Sequence, residues 1–347
     1  VDIVQLTDVH YDTMMDASKY DETTGCRGGN TVMDEQVRRL YRKVPKPKNP
    51  SYGIYYCDSN IHLVKEAIQQ AYRVAPAPGI IILSGDMAGH YLGSENPKAV
   101  SQVVQLVKNR FQGVPIVFSV GNNDVSPSYI TQCNDKRYEG FYDMLGGEIP
   151  ASEKSAFIHH GSYYRHFPQF RLTILSINTL LFGQKVNEEC GAMEHIAEGM
   201  SAARQKGYKV LVIGHFPLGV GAYDCKEYMN QTIQTDLINV LETNRDIVIG
   251  SIFGHDHRAE IKHIGVNTAL TSPAVSPLFG NNPGIRVIKY SPVKQQLDDY
   301  NDYYMQFVQS NAGSRGLWTK AVSFTKVFGV SDVTPESIIK VHRLLET

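Results

Sequence analysis

Gly79-Ile80-Ile81-Ile82-Leu83-Ser84-Gly85-Asp86-Met87-Ala88-Gly89-His90 runs from an apolar strand through a small-residue turn to two side chains that can bind metal. An apolar run of this length, with no polar alternation, reads as a strand buried on both faces. Gly85 lets the backbone turn tightly and approach an ion or phosphate without an intervening side chain. Alone, a Gly-Asp after such a strand is more often a simple turn than a metal site. Its neighbours decide between the two.

Before this stretch, Ser59-Asn60 can cap a helix through Val74, with Ile61, Val64, Ala67, Ile68 and Ala71 at helical spacing. After it come a helix over Pro97–Phe111, with Val100, Val103, Val104 and Val107 on one side, and a strand over Val114–Val120. With Val1–Thr7 as the first strand, the β-α-β-α-β rhythm implies a largely parallel sheet covered by helices on both faces. The second half is richer in strands: Phe170–Ile177, Val210–Ile213, Ile247–Phe253, Ile261–Thr271 and Gly284–Tyr290, with helices over Gly191–Gln205 and Thr235–Thr243. Past Pro292 the chain turns polar, with Tyr300, Tyr303 and Tyr304. It ends in a helix with Thr334 as N-cap, Pro335 at its first position and Ile338, Ile339, Val341, Leu344 and Leu345 as its apolar stripe. The economical division is one catalytic domain over 1–292 and a C-terminal helical extension packed on it over 293–347.

Five clusters sit at the C-terminal ends of expected strands, where open α/β sheets build their sites. They are Asp8-Val9-His10, Gly85-Asp86-Met87-Ala88-Gly89-His90, Gly121-Asn122-Asn123-Asp124, Gly214-His215 and Gly254-His255-Asp256-His257. Four imidazoles, two carboxylates and an amide oxygen are too many ligands for one ion and suit two ions with a shared carboxylate. Imidazole-rich sites with some oxygen favour Zn²⁺, Fe or Mn²⁺ over Mg²⁺ or Ca²⁺. Two such ions about 3.5–4 Å apart can hold a bridging hydroxide and clamp a phosphate's oxygens during in-line displacement. Each piece has a bland reading: Asp-x-His arises by chance, and His215 could be a satisfied core histidine. Five clusters, each closing its own strand, are hard to reproduce by accident.

In their order these clusters resemble the calcineurin-like metallophosphoesterases. Tyr56-Cys57-Asp58-Ser59, Gly254-His255-Asp256-His257-Arg258-Ala259-Glu260 and Asn282-Pro283-Gly284-Ile285-Arg286-Val287 are similar to the acid sphingomyelinase-like phosphodiesterase branch. The resemblance implies an α/β fold, a four-layer αββα metallophosphoesterase sandwich with the site at one sheet edge. It implies Asp8, His10 and His257 on one metal, Asn122, His215 and His255 on the second, and Asp86 bridging both, with Zn²⁺ the expected ion. In this family His usually follows the ligand asparagine, and here Asn123 stands there. An amide can donate a hydrogen bond to a phosphoryl oxygen but cannot transfer a proton at neutral pH. His90, only four residues from Asp86, is the expected replacement proton donor. Its alternative is an orienting role beside a ligand.

The implied function is two-metal hydrolysis of phosphodiester or phosphoanhydride bonds in small soluble substrates such as nucleotides and CDP-choline. The alternatives are a sphingomyelin phosphodiesterase, or a catalytically weakened metal-binding protein on the same fold. True sphingomyelinases of the family carry a saposin-like domain ahead of the catalytic one. The chain opens on a strand, so the expectation is a small substrate and a targeting peptide already removed. A net charge of −1 gives no reason to expect a nucleic-acid surface, and no apolar stretch has the length of a bilayer span. Of the five cysteines, Cys26 and Cys57 flank a Gly- and Pro-rich excursion over Gly25–Tyr56. A bridge there would close a loop of about 30 residues, worth roughly 3–4 kcal/mol. Cys190 with Cys225 is a second possible pair, leaving Cys133 free, and both pairs resemble family disulfides by position. With the Asn230-Gln231-Thr232 sequon, the cysteines point to a glycoprotein that is secreted or in the lysosomal or endosomal lumen.

Overall fold

The computed structural model describes residues 1–15, 26–27, 50–184, 188–221, 225–265, 267–321 and 323–345. Its strands are β1 (Asp2–Leu6), β2 (Ile80–Leu83), β3 (Ile116–Phe118), β4 (Tyr163–Phe167), β5 (Leu172–Ser176), β6 (Lys209–Ile213), β7 (Val248–Phe253), β8 (Glu260–Ile264), β9 (Asn267–Thr271), β10 (Gly284–Ser291), β11 (Gln296–Met305) and β12 (Trp318–Lys320). Its α-helices are α1 (Ile61–Val74), α2 (Asn96–Arg110), α3 (Lys136–Leu145), α4 (Lys154–His160), α5 (Ala192–Lys206), α6 (Gln231–Thr243), α7 (Phe307–Gly313), α8 (Phe324–Phe328) and α9 (Pro335–Leu345).

The apolar runs that open the chain and surround Leu83 pair in parallel, β1 with β2 and β2 with β3. Rather than one parallel sheet, the strands form two mixed six-stranded sheets, ordered β12-β11-β10-β1-β2-β3 and β4-β5-β6-β7-β9-β8. The helices cannot cover both faces of each sheet because the two sheets face one another. Ser176 Oγ on β5 donates to the Phe118 carbonyl on β3 at 2.7 Å, and Gln5 Nε2 on β1 donates to the Phe253 carbonyl on β7 at 3.1 Å. Helix α1 packs on β10 and α2 on α1, while α5 lies on β4, β5 and β6, and α6 and α9 on β9. The result is the αββα sandwich.

Local signals place the helices. Asn60 caps α1, its side-chain oxygen accepting from Leu63 N at 2.9 Å, and Leu63, Val64, Ala67, Ile68 and Ala71 are buried. Thr334 caps α9, with Ser337 N donating to its hydroxyl; Ile338 and Val341 are buried but Leu344 is exposed, so the apolar stripe is narrower than expected. The single strand expected over 261–271 is a hairpin, β8 and β9, because Gly265 turns the chain at φ +62°. The C-terminal segment is also more than helical, since β11 and β12 extend the first sheet. Arg286 on β10 is fully buried yet makes a bidentate pair with Asp302 on β11 at 2.7 and 2.8 Å, which locks the two strands together.

Cys26 and Cys57 form a disulfide, and most of the excursion between them lies outside the described residues. The second pairing differs from expectation: Cys133 bonds Cys190, and Cys225 is free and exposed. The turn entering α5 brings Cys190 to the segment before α3, with Cα atoms 5.5 Å apart. The Val220–Glu227 bridge, in contrast, turns Cys225 toward solvent.

Candidate metal centre

All five clusters converge at the C-terminal ends of β1, β2, β3, β6 and β7. Asp8, Asp86 and Asn122 leave the first sheet, and His215 and His255 the second. The turns are tight. Asp8, His10, Asp86, His255 and His257 all have positive φ, between 44° and 73°. Asp, Asn and His tolerate this left-handed region better than most residues, yet it still costs of order 1 kcal/mol each and persists only where the surroundings over-determine it. Close packing leaves no room for larger residues at the turns. A Cβ on Gly85 would lie 2.5 Å from His215 Nδ1, and one on Gly121 would overlap the Asp86 backbone nitrogen.

Two sets of donor atoms result. In the first, His10 Nε2 lies 3.0 Å from His257 Nε2, 4.0 Å from Asp8 Oδ1 and 3.4 Å from Asp86 Oδ2, and His257 Nε2 lies 3.5 Å from Asp8 Oδ1. In the second, His215 Nε2 is 3.4 Å from Asp86 Oδ1 and 2.9 Å from Asn122 Oδ1, with His255 alongside. Asp86 thus presents one oxygen to each set. Buried oxygens and imidazole nitrogens aimed at one another are costly unless a cation sits among them, so the residues fit a metal pair. His215 Nδ1 lies 2.9 Å from the Ser84 carbonyl, a hydrogen bond that leaves Nε2 to face Asp86 and Asn122. Burial, then the neighbouring imidazoles, push His255 and His257 well below their usual range, and His10 to about 4. These three are neutral and keep the lone pairs that coordination needs. Burial would raise Asp86, but the charge and hydrogen bond of His215, with the backbone N–H of Asn123, hold it well below the carboxylate range.

His90 and Asn123 border this pair. The His90 ring stacks on His10, centroids 4.5 Å apart and 6° from parallel. Its Nδ1 lies 3.0 Å from Asp58 Oδ1, and its Nε2 is 3.4 Å from the Asn123 amide nitrogen. Burial alone would lower its pKa, but Asp58 raises it above the usual histidine value. Asn123 is buried between the two groups, its Nδ2 donating to Asp86 Oδ2 at 2.8 Å. Two residues within the quoted motifs have roles that spacing did not reveal. Asp58 accepts from both the backbone and the ring of His90. Asp124 closes Gly-Asn-x-Asp and accepts from four backbone N–H groups, those of Asp86, Met87, Ala88 and Gly121. The motif letters marked both positions; their convergence on one loop, 32 residues from Asp58 and 36 to 38 from Asp124, is visible only in three dimensions.

Residues 1–259 match the family Calcineurin-like phosphoesterase, and residues 263–347 match the Acid sphingomyelin phosphodiesterase C-terminal region. The chain belongs to the calcineurin-like phosphoesterases. This phosphoesterase is 28% identical to Sphingomyelinase phosphodiesterase D of Dictyostelium discoideum, over 95% of its own length and 80% of that protein's. It is 24% identical to the Cyclic GMP-AMP phosphodiesterase SMPDL3A of Homo sapiens, over 84% of its length and 70% of the relative's. Its fold is similar to that of a dimetal phosphatase from Danio rerio, with a TM-score of 0.52 at 10% identity, covering 91% of this chain and 98% of that one. The paired His/Asp donor sets and the two matched regions together make the phosphoesterase a metal-dependent phosphodiesterase with a site for two ions. Among the described residues no helix is long and apolar enough to cross a membrane. The two disulfides are consistent with an environment outside the cytoplasm.

Proposed function

We propose that this phosphodiesterase hydrolyses phosphodiester or phosphoanhydride bonds of small nucleotide-type substrates, CDP-choline included, using two Zn²⁺ ions. Asp8, His10 and His257 hold one ion, Asn122, His215 and His255 the other, and Asp86 both. The observation that carries this reading is the placement of Asp86, whose two oxygens face His10 and His215 at 3.4 Å each. When bound, such an ion pair supplies an activated water as nucleophile and offsets the charge on the phosphoryl oxygens. The chain's own side chains supply the rest. Asn123 turns its amide N–H from Asp86 to a phosphoryl oxygen of the substrate. His90, with Nδ1 tied to Asp58, carries a proton on Nε2 and delivers it to the leaving oxygen. The hydrogen bond at Nδ1 fixes which ring nitrogen faces the substrate.

Three exposed rings border the donor atoms and support a planar leaving group. Tyr91 lies 6.0 Å from His90, Tyr129 6.1 Å from His255, and Phe279 4.7 Å from His257, measured between ring centroids. Stacking on such rings is worth about 1–3 kcal/mol per base and does not depend on base identity. The likeness to Sphingomyelinase phosphodiesterase D favours a second reading, sphingomyelin. Side-by-side turnover of cyclic dinucleotides, CDP-choline and sphingomyelin in vesicles separates the two. Phe279→Ala should raise KM for the nucleotides about five- to hundredfold, the range a lost stacking contact gives. Efficient vesicle hydrolysis with no nucleotide turnover would reject the nucleotide reading. Secretion or residence in an acidic lumen, with a glycan on exposed Asn230, completes the proposal.

A further inference from the structure

His90 is gripped from two directions, and both grips begin next to the same disulfide. On one side Asp58 Oδ2 accepts from His90 N at 2.7 Å while its Oδ1 holds the ring. On the other, Arg27 donates from Nη2 to the His90 carbonyl at 2.6 Å and from Nη1 to the Tyr91 carbonyl at 3.4 Å. Asp58 follows Cys57 and Arg27 follows Cys26, and Cys26 is bonded to Cys57. The Arg27 side chain is only 9% exposed and is anchored by Asp12, Nε to Oδ2 at 2.5 Å. Asp12 N in turn donates to the Ser59 carbonyl at 2.9 Å, which closes the ring of contacts back to Asp58.

The turn that carries His90 needs such support. Tyr91 has φ +54°, a left-handed conformation that a bulky residue does not hold on its own. Arg27 donates to the two carbonyls that flank the Tyr91 Cα, which is where that strain is borne. Its fork suits two carbonyls and a carboxylate at once, a pattern that a lysine ammonium reproduces only in part.

We propose that Arg27 is a positioning residue for His90, and that the Cys26–Cys57 bond serves catalysis by keeping Arg27 in register with Asp58. The proposal rests on the reading of His90 as the proton donor. Without the bond, the only covalent path from Arg27 to Asp58 is the intervening chain, the two cysteines being 31 residues apart. A shift of about 1 Å in the turn would carry His90 Nε2 off the leaving oxygen, and a misplacement of that size can cost about a hundredfold in rate.

The test uses the full chain loaded with Zn²⁺, assayed on an alkyl diester, which needs a proton on its leaving group, and on a p-nitrophenyl diester, which does not. Arg27→Ala should lower kcat on the alkyl substrate at least about tenfold more than on the aryl one, with KM and zinc content little changed. Arg27→Lys should recover part of the loss, and the paired Cys26→Ser/Cys57→Ser variant should discriminate in the same direction. The paired Cys133→Ser/Cys190→Ser variant should affect both substrates alike. A second readout does not depend on turnover: the His90 ring nitrogens, followed by proton–nitrogen NMR, should shift or broaden in the Arg27 and Cys26/Cys57 variants. If Arg27→Ala does not fold, Arg27→Lys and the cysteine pair carry both readouts. Equal slowing of both substrates while His90→Ala still discriminates would overturn the positioning role and leave the His90 reading intact. If His90→Ala itself fails to discriminate, the proton-donor reading falls, and the ring signals then decide: unmoved, they overturn the grip; moved, they uphold it.

Discussion

Asp124→Asn takes away one of two oxygens that together serve four buried backbone N–H groups. Oδ2 accepts from Asp86 N at 3.0 Å and Gly121 N at 2.8 Å, and Oδ1 from Met87 N at 2.7 Å and Ala88 N at 3.0 Å. An asparagine amide keeps one acceptor oxygen and presents an NH2 group to the other two N–H donors. Asp124 is 1% exposed, so water cannot replace the lost acceptor. Each stranded donor costs about 1–3 kcal/mol, so the change should cost about 2–6 kcal/mol, a large part of the roughly 5–15 kcal/mol that a native chain has. The loss falls on the loop whose Asp86 is held at φ +55°, so that carboxylate should lose its aim at both donor sets. Loss of a group that orients a metal ligand typically weakens binding 10- to 100-fold. Competition against a graded chelator, with thermal unfolding of the metal-free protein beside it, measures both effects. An Asp124→Asn protein with unchanged unfolding and unchanged chelator resistance would refute this account of the loop.

His90→Ala should slow an alkyl-alcohol leaving group about 10²–10⁴-fold, and p-nitrophenolate far less, with metal content retained; equal slowing on both, in steady-state assays, would reject proton donation. Asp332→Ala should weaken the docking of α9 by about 1 kcal/mol, the value of a helix-capping contact, read as faster amide hydrogen exchange in that helix. Burial would raise the Asp332 carboxyl, but the Ser337, Thr334 and Ser331 hydroxyls hold it at about 2. A carboxyl depressed in the folded state stabilises above its unfolded pKa. The deficit of the variant should therefore be constant from pH 7 to pH 5 and fade as pH falls through 3.8 toward 2.

The convergence of the five clusters was legible because each one terminates a strand, and parallel strands deliver their C-terminal ends to one edge. Glycine at positions 85 and 121 marked where backbone and ligand approach closely, and the structure allows no Cβ at either. What stayed hidden depends on partners distant in sequence. The strand β11 reads as polar because Asp302 and Asn301 fall within it, and only the facing Arg286 makes that carboxylate tolerable. The strand β4 is masked in the same way by Arg165 and His166, which bond Glu148 and Thr173. Pairing of Cys133 with Cys190 follows from how α5 meets the segment before α3, which no local pattern encodes. Arg27 belongs to a stretch without periodicity, and its contact with the carbonyl of His90 spans 63 residues.

A pair of ions sharing Asp86 fixes the metal content that each chain should carry. Elemental analysis after gel filtration should find about two transition-metal ions in the native protein and close to none in Asp86→Ala, because that carboxylate faces His10 and His215 alike. His10→Ala should lose mainly one. Two tightly held ions remaining in Asp86→Ala would rule out a carboxylate shared between them.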